Sequence, residues 1–107
     1  MALIYISGPY SANDHKTRDD NVNIAIDVGA EIIKLGHYPM IPHLNFLFDR
    51  RQKLSYDKYL AWDLELLGRC DALYFIDHSP GADIELKWAQ LAKMPIYYSL
   101  EDIPVGT

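Results

Sequence analysis

The sequence lacks the features that mark several large classes of protein. It has a single cysteine, Cys70, so no disulfide can form within the chain. No apolar run approaches the ~18 residues that a membrane-spanning helix requires, and the first residues carry no signal-peptide pattern. These absences predict a soluble, cytoplasmic protein that has no membrane partner.

Basic residues are also scarce. Lys and Arg number 10 against 15 Asp and Glu, which gives a formal net charge of −5. The basic side chains are scattered and form no stripe that could follow a nucleic-acid backbone. A nucleic-acid polymer is therefore not expected as a partner, whereas a small phosphate ligand can be held by backbone N–H groups at a helix N-terminus.

The motifs that hold common cofactors are missing as well. The four histidines show no metal-ligand spacing such as HxxxH, although two of them from separate loops could still share an ion. Neither a P-loop nor a GxGxxG motif follows the first predicted strand. We therefore expect no bound metal and no cofactor.

The sequence does contain clear hydrophobic periodicity. Half of its 107 residues are hydrophobic, enough for the core of one domain. Short β-rich runs predict strands over residues 2–7, 37–41, 72–76 and 95–98, and residues 100–103 predict a final turn. Helical spacing predicts helices over about residues 22–35, from Ser55 onward, and over about residues 82–92. Because no linker or repeat interrupts these elements, residues 1–107 are interpreted as a single domain.

The alternation of strands and helices predicts an α/β fold. The order βαβαβαβ favours a doubly wound, mainly parallel sheet of four to five strands with helices on both faces, as in flavodoxin- or Rossmann-like domains. Ser11, Asn13 and Asp14 are candidate caps of the first helix, and Gly36 is a candidate C′ residue at its end. Residues 43–54 have the least regular pattern, and their conformation is not predicted.

Ligands of such sheets bind outside the carboxyl ends of the strands. The chain carries Ser7-Gly8-Pro9 after the first strand, Pro42-His43 after the second and Asp77-His78-Ser79 after the third. We therefore expect a substrate pocket at this edge of the sheet. The predicted substrate-binding residues are Ser7, Gly8, Pro9, His43, Ser79 and Gly81.

Glu85 follows the same edge, close to the start of the third predicted helix. Gly81 lets the backbone approach a ligand, and the helix start offers free N–H groups to an anion. The helix dipole favours an ionised carboxylate in the first turn. An ionised carboxylate beside a sugar is a good nucleophile toward an oxocarbenium-like carbon. A glutamate at this place can also do no more than complement the helix dipole, and spacing alone does not separate the two interpretations.

Two further residues could act together with Glu85. Asp63 lies on an otherwise apolar helix face, either at a solvated rim or inside a site. If it is desolvated, its pKa rises and it can donate a proton. Tyr5 stands near the carboxyl end of the first strand, where it could hydrogen-bond the nucleophile or serve as an ordinary strand aromatic.

Three stretches of the chain resemble the nucleoside 2-deoxyribosyltransferase superfamily, in particular its 2′-deoxynucleoside 5′-monophosphate N-glycosidases. They are IYISGP (residues 4–9), WDLELL (residues 62–67) followed by CDA (residues 70–72), and SPGADIEL (residues 79–86). Together with the element order, the likeness spans nearly the whole chain. It implies an enzyme that breaks the N-glycosidic bond of a nucleoside or nucleotide, by hydrolysis or by base exchange.

The resemblance also implies roles for individual residues. Glu85 would form a glycosyl-enzyme intermediate, Asp63 would help to protonate the leaving base, and Tyr5 would hold Glu85 by a hydrogen bond. Ser79 and Gly81 match the positions that hold a 5′-phosphate. Family members that take free nucleosides usually have Asp at the first of these positions, where its charge would repel a phosphate. The resemblance further implies homodimers or larger homo-oligomers whose subunits complete each other's pockets.

The chain departs from the family pattern in ways that affect the substrate more than the fold. Lys87 stands where the family often has Gly, two residues after the nucleophile. Arg18 lies further along the chain than the arginine that monophosphate cleavers often carry in the first loop. The chain ends at Thr107, and no residue clearly matches the C-terminal one that a neighbouring subunit usually contributes.

Two other functions remain open at this stage. The chain could be a non-catalytic module that binds or senses a nucleotide, although two carboxylates in one pocket would not help to bind an anion. It could also be a flavodoxin-like signalling or scaffold domain. The acidic cluster expected after the first strand of a receiver domain is missing, which disfavours that interpretation.

Overall fold

A computed structural model describes residues 1–10 and 15–106 as an α/β fold built on four parallel strands. The strands are β1 (Leu3–Ser7), β2 (Tyr38–Met40), β3 (Ala72–Phe75) and β4 (Ile96–Tyr97). The α-helices are α1 (His15–Lys34), α2 (Phe46–Arg51), α3 (Tyr56–Gly68) and α4 (Pro80–Leu91), and two 3₁₀ turns cover Pro42–Asn45 and Leu100–Asp102. The predicted fold class and the predicted final turn are confirmed.

The sheet has the strand order β2-β1-β3-β4, with every pairing parallel. After β1 the chain adds β2 on one side and then crosses to place β3 on the other side. The strand order therefore reverses between β1 and β3, where Ser7 pairs with Phe75 at the carboxyl ends. A doubly wound sheet opens a crevice at such a reversal, and the loops after β1 and β3 both reach it.

Alternate residues of the central strands face opposite sides of the sheet. Ile4 and Ile6 of β1 pack with Tyr74 of β3 in a core that α1 covers. Tyr5 of β1 and Phe75 of β3 point to the other face, which α3 and α4 cover. Because both faces are buried, the strands are nearly continuous apolar runs, as the sequence predicted.

The helix ends explain most of the boundaries. Gly36 has φ of +91°, the left-handed conformation expected of the predicted C′ residue. Ser55 caps α3, since its side chain accepts from the Lys58 N–H. Ser79 caps α4 in the same way, by accepting from the Ala82 N–H. The helix predicted from residue 82 therefore begins two residues earlier, at Pro80, because proline fits the first position of a helix.

The structure shows the conformation of residues 43–54, which the sequence did not predict, and it differs from the sequence predictions at the start of α1. The irregular stretch 43–54 is largely helical, because Pro42 opens a 3₁₀ turn that runs directly into α2. α1 already includes residues 15–21, which precede its periodic apolar positions. The candidate caps Ser11, Asn13 and Asp14 lie outside the described residues.

The His37 side chain, just before β2, hydrogen-bonds to residues near both ends of the chain. Its Nδ1 accepts from the Ala2 N–H at 2.9 Å, and its Nε2 lies 2.5 Å from the Pro104 carbonyl oxygen. Because a carbonyl can only accept, Nε2 is the donor of the second bond. This histidine therefore has a structural place in the domain and lies away from the crevice between β1 and β3.

Candidate functional site

A pocket of about 400 Å³ lies at the carboxyl ends of the central strands. The loop after β1, the Pro42–Asn45 turn, the segment from α2 to α3 and the start of α4 all contribute to its wall. Six of the predicted site residues line it, namely Gly8, His43, Asp63, Ser79, Gly81 and Glu85. Tyr5, Ser7 and Pro9 are not in its wall, and each is instead bonded to a residue that is.

The Glu85 carboxylate is buried and held at both oxygens. The Tyr5 hydroxyl donates to Oε2 at 2.6 Å, and the Ser7 hydroxyl donates to Oε1 at 2.7 Å. Tyr5 and Ser7 are two residues apart on β1, so both side chains leave the sheet on the face that α4 covers. The predicted hydrogen bond between Tyr5 and Glu85 is thus present, and Ser7 adds a second one.

Burial dominates the ionisation of Glu85. It raises the pKa of this carboxyl, while the hydrogen bonds from Tyr5 and Ser7 act in the opposite direction. The sequence predicted that the N-terminus of the helix would stabilise the ionised form of Glu85, but the helix N-terminus is not among the causes of the pKa shift. Glu85 is the sixth residue of α4, beyond the free N–H groups of the first turn and the range of the helix dipole.

Asp63 projects from α3 into the same pocket. Burial, and then the charge of Glu85, raise the pKa of this carboxyl to about 7. The same two causes, in the same order, raise the pKa of Tyr5, which therefore remains a hydroxyl donor near neutral pH. Asp49 also lines the pocket and accepts from the Tyr59 hydroxyl. Glu85 and Asp63 thus share one pocket in unequal environments, the arrangement in which one can act as a base or nucleophile and the other as an acid.

His43 is buried at the base of the loop that follows β1. Its Nε2 lies 3.2 Å from the Pro9 carbonyl oxygen and donates to it. Burial lowers the pKa of this imidazole more than hydrogen bonding to the Gly8 and Pro9 carbonyls raises it. Within the residues that the structure describes, His43 Nδ1 and Asn45 Nδ2 are buried without a hydrogen-bond partner.

Sequence reasoning missed an aromatic and apolar wall of the pocket. Tyr56, Tyr59, Leu60 and Asp63 line it from one face of α3. Their spacing of i, i+3, i+4 and i+7 is that of a helix face, and it would have identified this wall. The Tyr59 hydroxyl donates to Asp49 at 3.1 Å, which joins α2 to the same surface.

The two predicted glycines meet the pocket in different ways. A Cβ added at Gly8 would lie 2.9 Å from Ile76 Cβ, so only glycine fits where the loop crosses the end of β3. A Cβ added at Gly81 would reach ordinary contact with the Tyr56 hydroxyl, at 3.7 Å. Gly81 therefore keeps open the space beside the start of α4, next to the Ser79 hydroxyl.

The sequence matches, over residues 2–99, a family described as a domain of unknown function (DUF7768). The chain belongs to the DUF7768 family. Each residue placed in the site above lies within the matched span of this DUF7768 domain. No curated protein matches the chain, and the family description carries no activity. The resemblance to nucleoside 2-deoxyribosyltransferases therefore remains a prediction.

Two further properties of this DUF7768 domain concern metals and membranes. Across residues 1–10 and 15–106, no three His, Cys, Asp or Glu side chains are grouped so that they could hold a metal ion. Among the helices that the structure describes, none combines the length and apolar character needed to cross a membrane.

Proposed function

We propose that the chain cleaves the N-glycosidic bond of a nucleoside or nucleoside 5′-monophosphate through a glycosyl-enzyme intermediate on Glu85. One observation carries the proposal. The buried Glu85 carboxylate, held at both oxygens, shares a pocket with Asp63, whose pKa is raised to about 7. A nucleophile that stays fixed and an acid that keeps its proton near neutral pH are the two groups that such a cleavage needs.

In the first half of the reaction, protonated Asp63 gives its proton to the leaving nitrogen of the base. The bond between C1′ and that nitrogen breaks, and a Glu85 oxygen forms a bond to C1′. The transition state has oxocarbenium character, as in other glycosyl transfers. Tyr5 and Ser7 hold the attacking carboxylate in place, which lowers the entropic part of the barrier.

In the second half, Asp63 is a carboxylate and acts as a base. It takes a proton from a water molecule whose oxygen attacks C1′, and the bond to Glu85 breaks as its electrons return to the carboxylate. If a second base attacks instead of water, the same intermediate leads to base exchange. Neither route requires a cofactor, since the residues of the pocket supply the nucleophile and the acid.

The aromatic and apolar wall supports a nucleobase as one end of the ligand. Tyr56 and Tyr59 on α3 and Tyr10 after β1 line the pocket, and aromatic rings of this kind suit contact with a flat heterocycle. The Ser79 hydroxyl and the start of α4 offer donors to an anion at another part of the pocket wall. A sugar phosphate between these parts would bring C1′ near the carboxyls.

The test is chromatography of the purified protein incubated with ribo- and deoxyribonucleosides and their 5′-monophosphates. The expected result is release of free base from at least one member of the panel. A parallel series contains a second base as acceptor, so that exchange is also detected. Binding of a nucleotide without release or exchange of base would contradict the proposal and would favour the non-catalytic binding module.

Replacement of Ser79 tests whether the ligand carries a phosphate. Ser79→Ala removes a hydroxyl that can donate to a phosphate oxygen, and a hydrogen bond to a charged group is typically worth ~1.5–3 kcal/mol. We expect KM to rise by roughly 10-fold or more for 5′-monophosphates and to change little for nucleosides. Steady-state kinetics on a matched pair of substrates measures the difference.

Ser55→Ala is the matched control for this variant. Ser55 and Ser79 are both N-cap residues whose hydroxyls accept from a backbone N–H. Loss of either cap is expected to cost about 1 kcal/mol of stability. Only the Ser79 hydroxyl is in the pocket wall, so an equal loss for nucleosides and nucleotides in Ser79→Ala would contradict a phosphate site.

We further propose that the chain forms a homodimer or a larger homo-oligomer. A domain of this size buries only about two-thirds of its unfolded surface, and a partner would add apolar burial. Leu44 and Leu47, which lie in the sequence between the pocket-lining residues His43 and Asp49, are 47% and 63% exposed. Light scattering is expected to show a multimer for wild type and a smaller species for Leu47→Lys. Leu91→Lys, at another exposed leucine, is the control and should remain a multimer. A monomeric wild type would contradict this proposal.

A further inference from the structure

Ser7 contributes to the site without lining the pocket. It is the last residue of β1 and is fully buried, and its hydroxyl donates to Glu85 Oε1 at 2.7 Å. The sequence placed Ser7 among the substrate-binding residues because it ends a strand. The geometry commits its hydroxyl to the carboxylate that is proposed to react.

The two hydroxyls that donate to Glu85 bond different oxygens of its carboxylate. Tyr5 donates to Oε2 and Ser7 to Oε1, so each carboxylate oxygen has its own donor. Asp63 faces the same carboxylate from α3, and His43 lines the pocket with it. Both hydroxyls are neutral donors, and each stabilises the negative charge of Glu85 by a charge-assisted bond.

A hydrogen bond of this kind affects the two halves of the proposed reaction in opposite ways. When a Glu85 oxygen bonds to C1′, the carboxylate charge is lost and the bond from Ser7 weakens. When the bond to C1′ breaks, the charge returns and the bond from Ser7 strengthens. By stabilising the charge, the donor therefore opposes formation of the intermediate and assists its breakdown, whereas by fixing the carboxylate it aids the attack on C1′.

We infer that Ser7 is a positioning residue that makes Glu85 a better leaving group and so shortens the lifetime of the glycosyl-enzyme intermediate. The inference rests on the proposed function and assigns Ser7 no contact with substrate. Breakdown requires water to attack C1′ while the electrons of the C1′–Oε bond return to Glu85 and the proton of the water passes to Asp63. Ser7 acts by stabilising the carboxylate that this step releases.

The first experiment follows the covalent intermediate. In Ser7→Ala, breakdown is expected to slow by roughly 10-fold or more, the effect of one lost bond to a charged group. Intact-protein mass spectrometry during turnover should then show a larger glycosylated fraction than in wild type. Both kcat and KM should fall together, because an accumulating intermediate lowers both constants.

Two further variants separate this role from a general structural one. Ser7→Thr keeps a hydroxyl and is expected to restore a small glycosylated fraction. Ile6→Val removes one methylene group from the neighbouring position on β1, whose side chain faces the other core. It controls for destabilisation of the strand and should leave kcat, KM and the glycosylated fraction each as in wild type. An unchanged glycosylated fraction in Ser7→Ala would overturn the inference.

The second experiment does not depend on turnover. Carboxyl ¹³C NMR of wild type and Ser7→Ala gives the pKa of Glu85, which is expected to rise by about one unit when the Ser7 donor is lost. An unchanged Glu85 pKa would overturn the inference even if wild type releases base. A shifted pKa in a protein that releases no base would instead refute the proposed function while leaving the influence of Ser7 on Glu85 in place.

Discussion

Glu85→Gln is expected to lower the rate of base release by at least ~10³-fold, because an amide cannot replace the carboxylate as nucleophile. The fold should survive the change. Glutamine has the shape of glutamate, and the hydroxyls of Tyr5 and Ser7 can rotate to accept from its NH₂ or donate to its carbonyl. The substrate should bind at least as tightly as to wild type when it carries a phosphate, because a negative charge leaves the pocket.

Calorimetric binding and base release, measured on the same preparation, separate these two effects. Glu65→Gln is the matched control, since Glu65 lies on the exposed side of α3 and forms a solvent-exposed pair with Arg69 at 3.8 Å. This control should keep the wild-type rate. If Glu85→Gln also keeps it, then Glu85 is not the nucleophile and the reaction proposed for this pocket is wrong.

The fold was predictable because its determinants are local. Ile4, Ile6 and Tyr5 read as an apolar run in the sequence, and the same alternation places them on two faces of the sheet. Gly36 ends α1 with a left-handed φ, which few residues other than glycine adopt. Strand ends were predicted one residue too long in several places, because pairing and not hydrophobicity decides where a strand stops.

The contact between Tyr5 and Glu85 could not be predicted from local sequence. The two residues are 80 positions apart, and only the parallel pairing of β1 with β3 brings the start of α4 beside β1. The resemblance to a known family implied this contact, whereas the position of Tyr5 in the strand left it open whether the residue bonds the nucleophile or is an ordinary strand aromatic. For Ser7, the position at the end of a strand favoured a contact with substrate. Ser7 and Tyr5 are two residues apart, so their side chains lie on the same face of the sheet. That spacing would have predicted a contact between Ser7 and Glu85.

The placement of α2 beside the α3 wall was the part that the sequence could not supply. α2 has only six residues, too few to show a helical period, and no buried residue anchors it. It contacts α3 through residues distant in the sequence, by the hydrogen bond from Tyr59 to Asp49 and by packing of the Phe48 ring against Trp62, with ring centroids 5.2 Å apart. The side chains that would select a base lie here, so the identity of the base is not encoded in any short pattern of the chain.

The pKa of Asp63 should make the rate of the proposed reaction depend on pH near neutrality. Burial and the charge of Glu85 raise this pKa to about 7, so Asp63 loses its proton as the pH rises through about 7. The acid needed for the first half of the reaction is then lost, and kcat/KM should fall on the alkaline side. On the acid side, protonation of Glu85 removes the nucleophile, at a pH above the usual range of a glutamate. The resulting bell-shaped profile belongs to the pair of carboxyls.

Asp63→Asn is expected to lower kcat/KM by about 10²–10⁴-fold, the usual contribution of a general acid. The alkaline limb near pH 7 should disappear with it, because no proton remains to be lost at this position. Asp57→Asn, on the exposed first turn of the same helix, should keep both the rate and the wild-type profile. Rate profiles of the three proteins measure both effects.

A substrate with a 7-methylated purine sharpens the assignment of Asp63. Such a base already carries a positive charge and leaves as a neutral molecule, so its departure needs no proton from the enzyme. In a single turnover, Asp63→Asn should therefore release this base at close to the wild-type rate, while the loss on the unmethylated substrate stays within about 10²–10⁴-fold. A single-turnover measurement leaves out the later attack of water, for which Asp63 is the proposed base. An equal loss on both substrates would mean that Asp63 positions the ligand and that the proton comes from another group. In that case the alkaline limb would persist in the variant, because the true acid would still titrate.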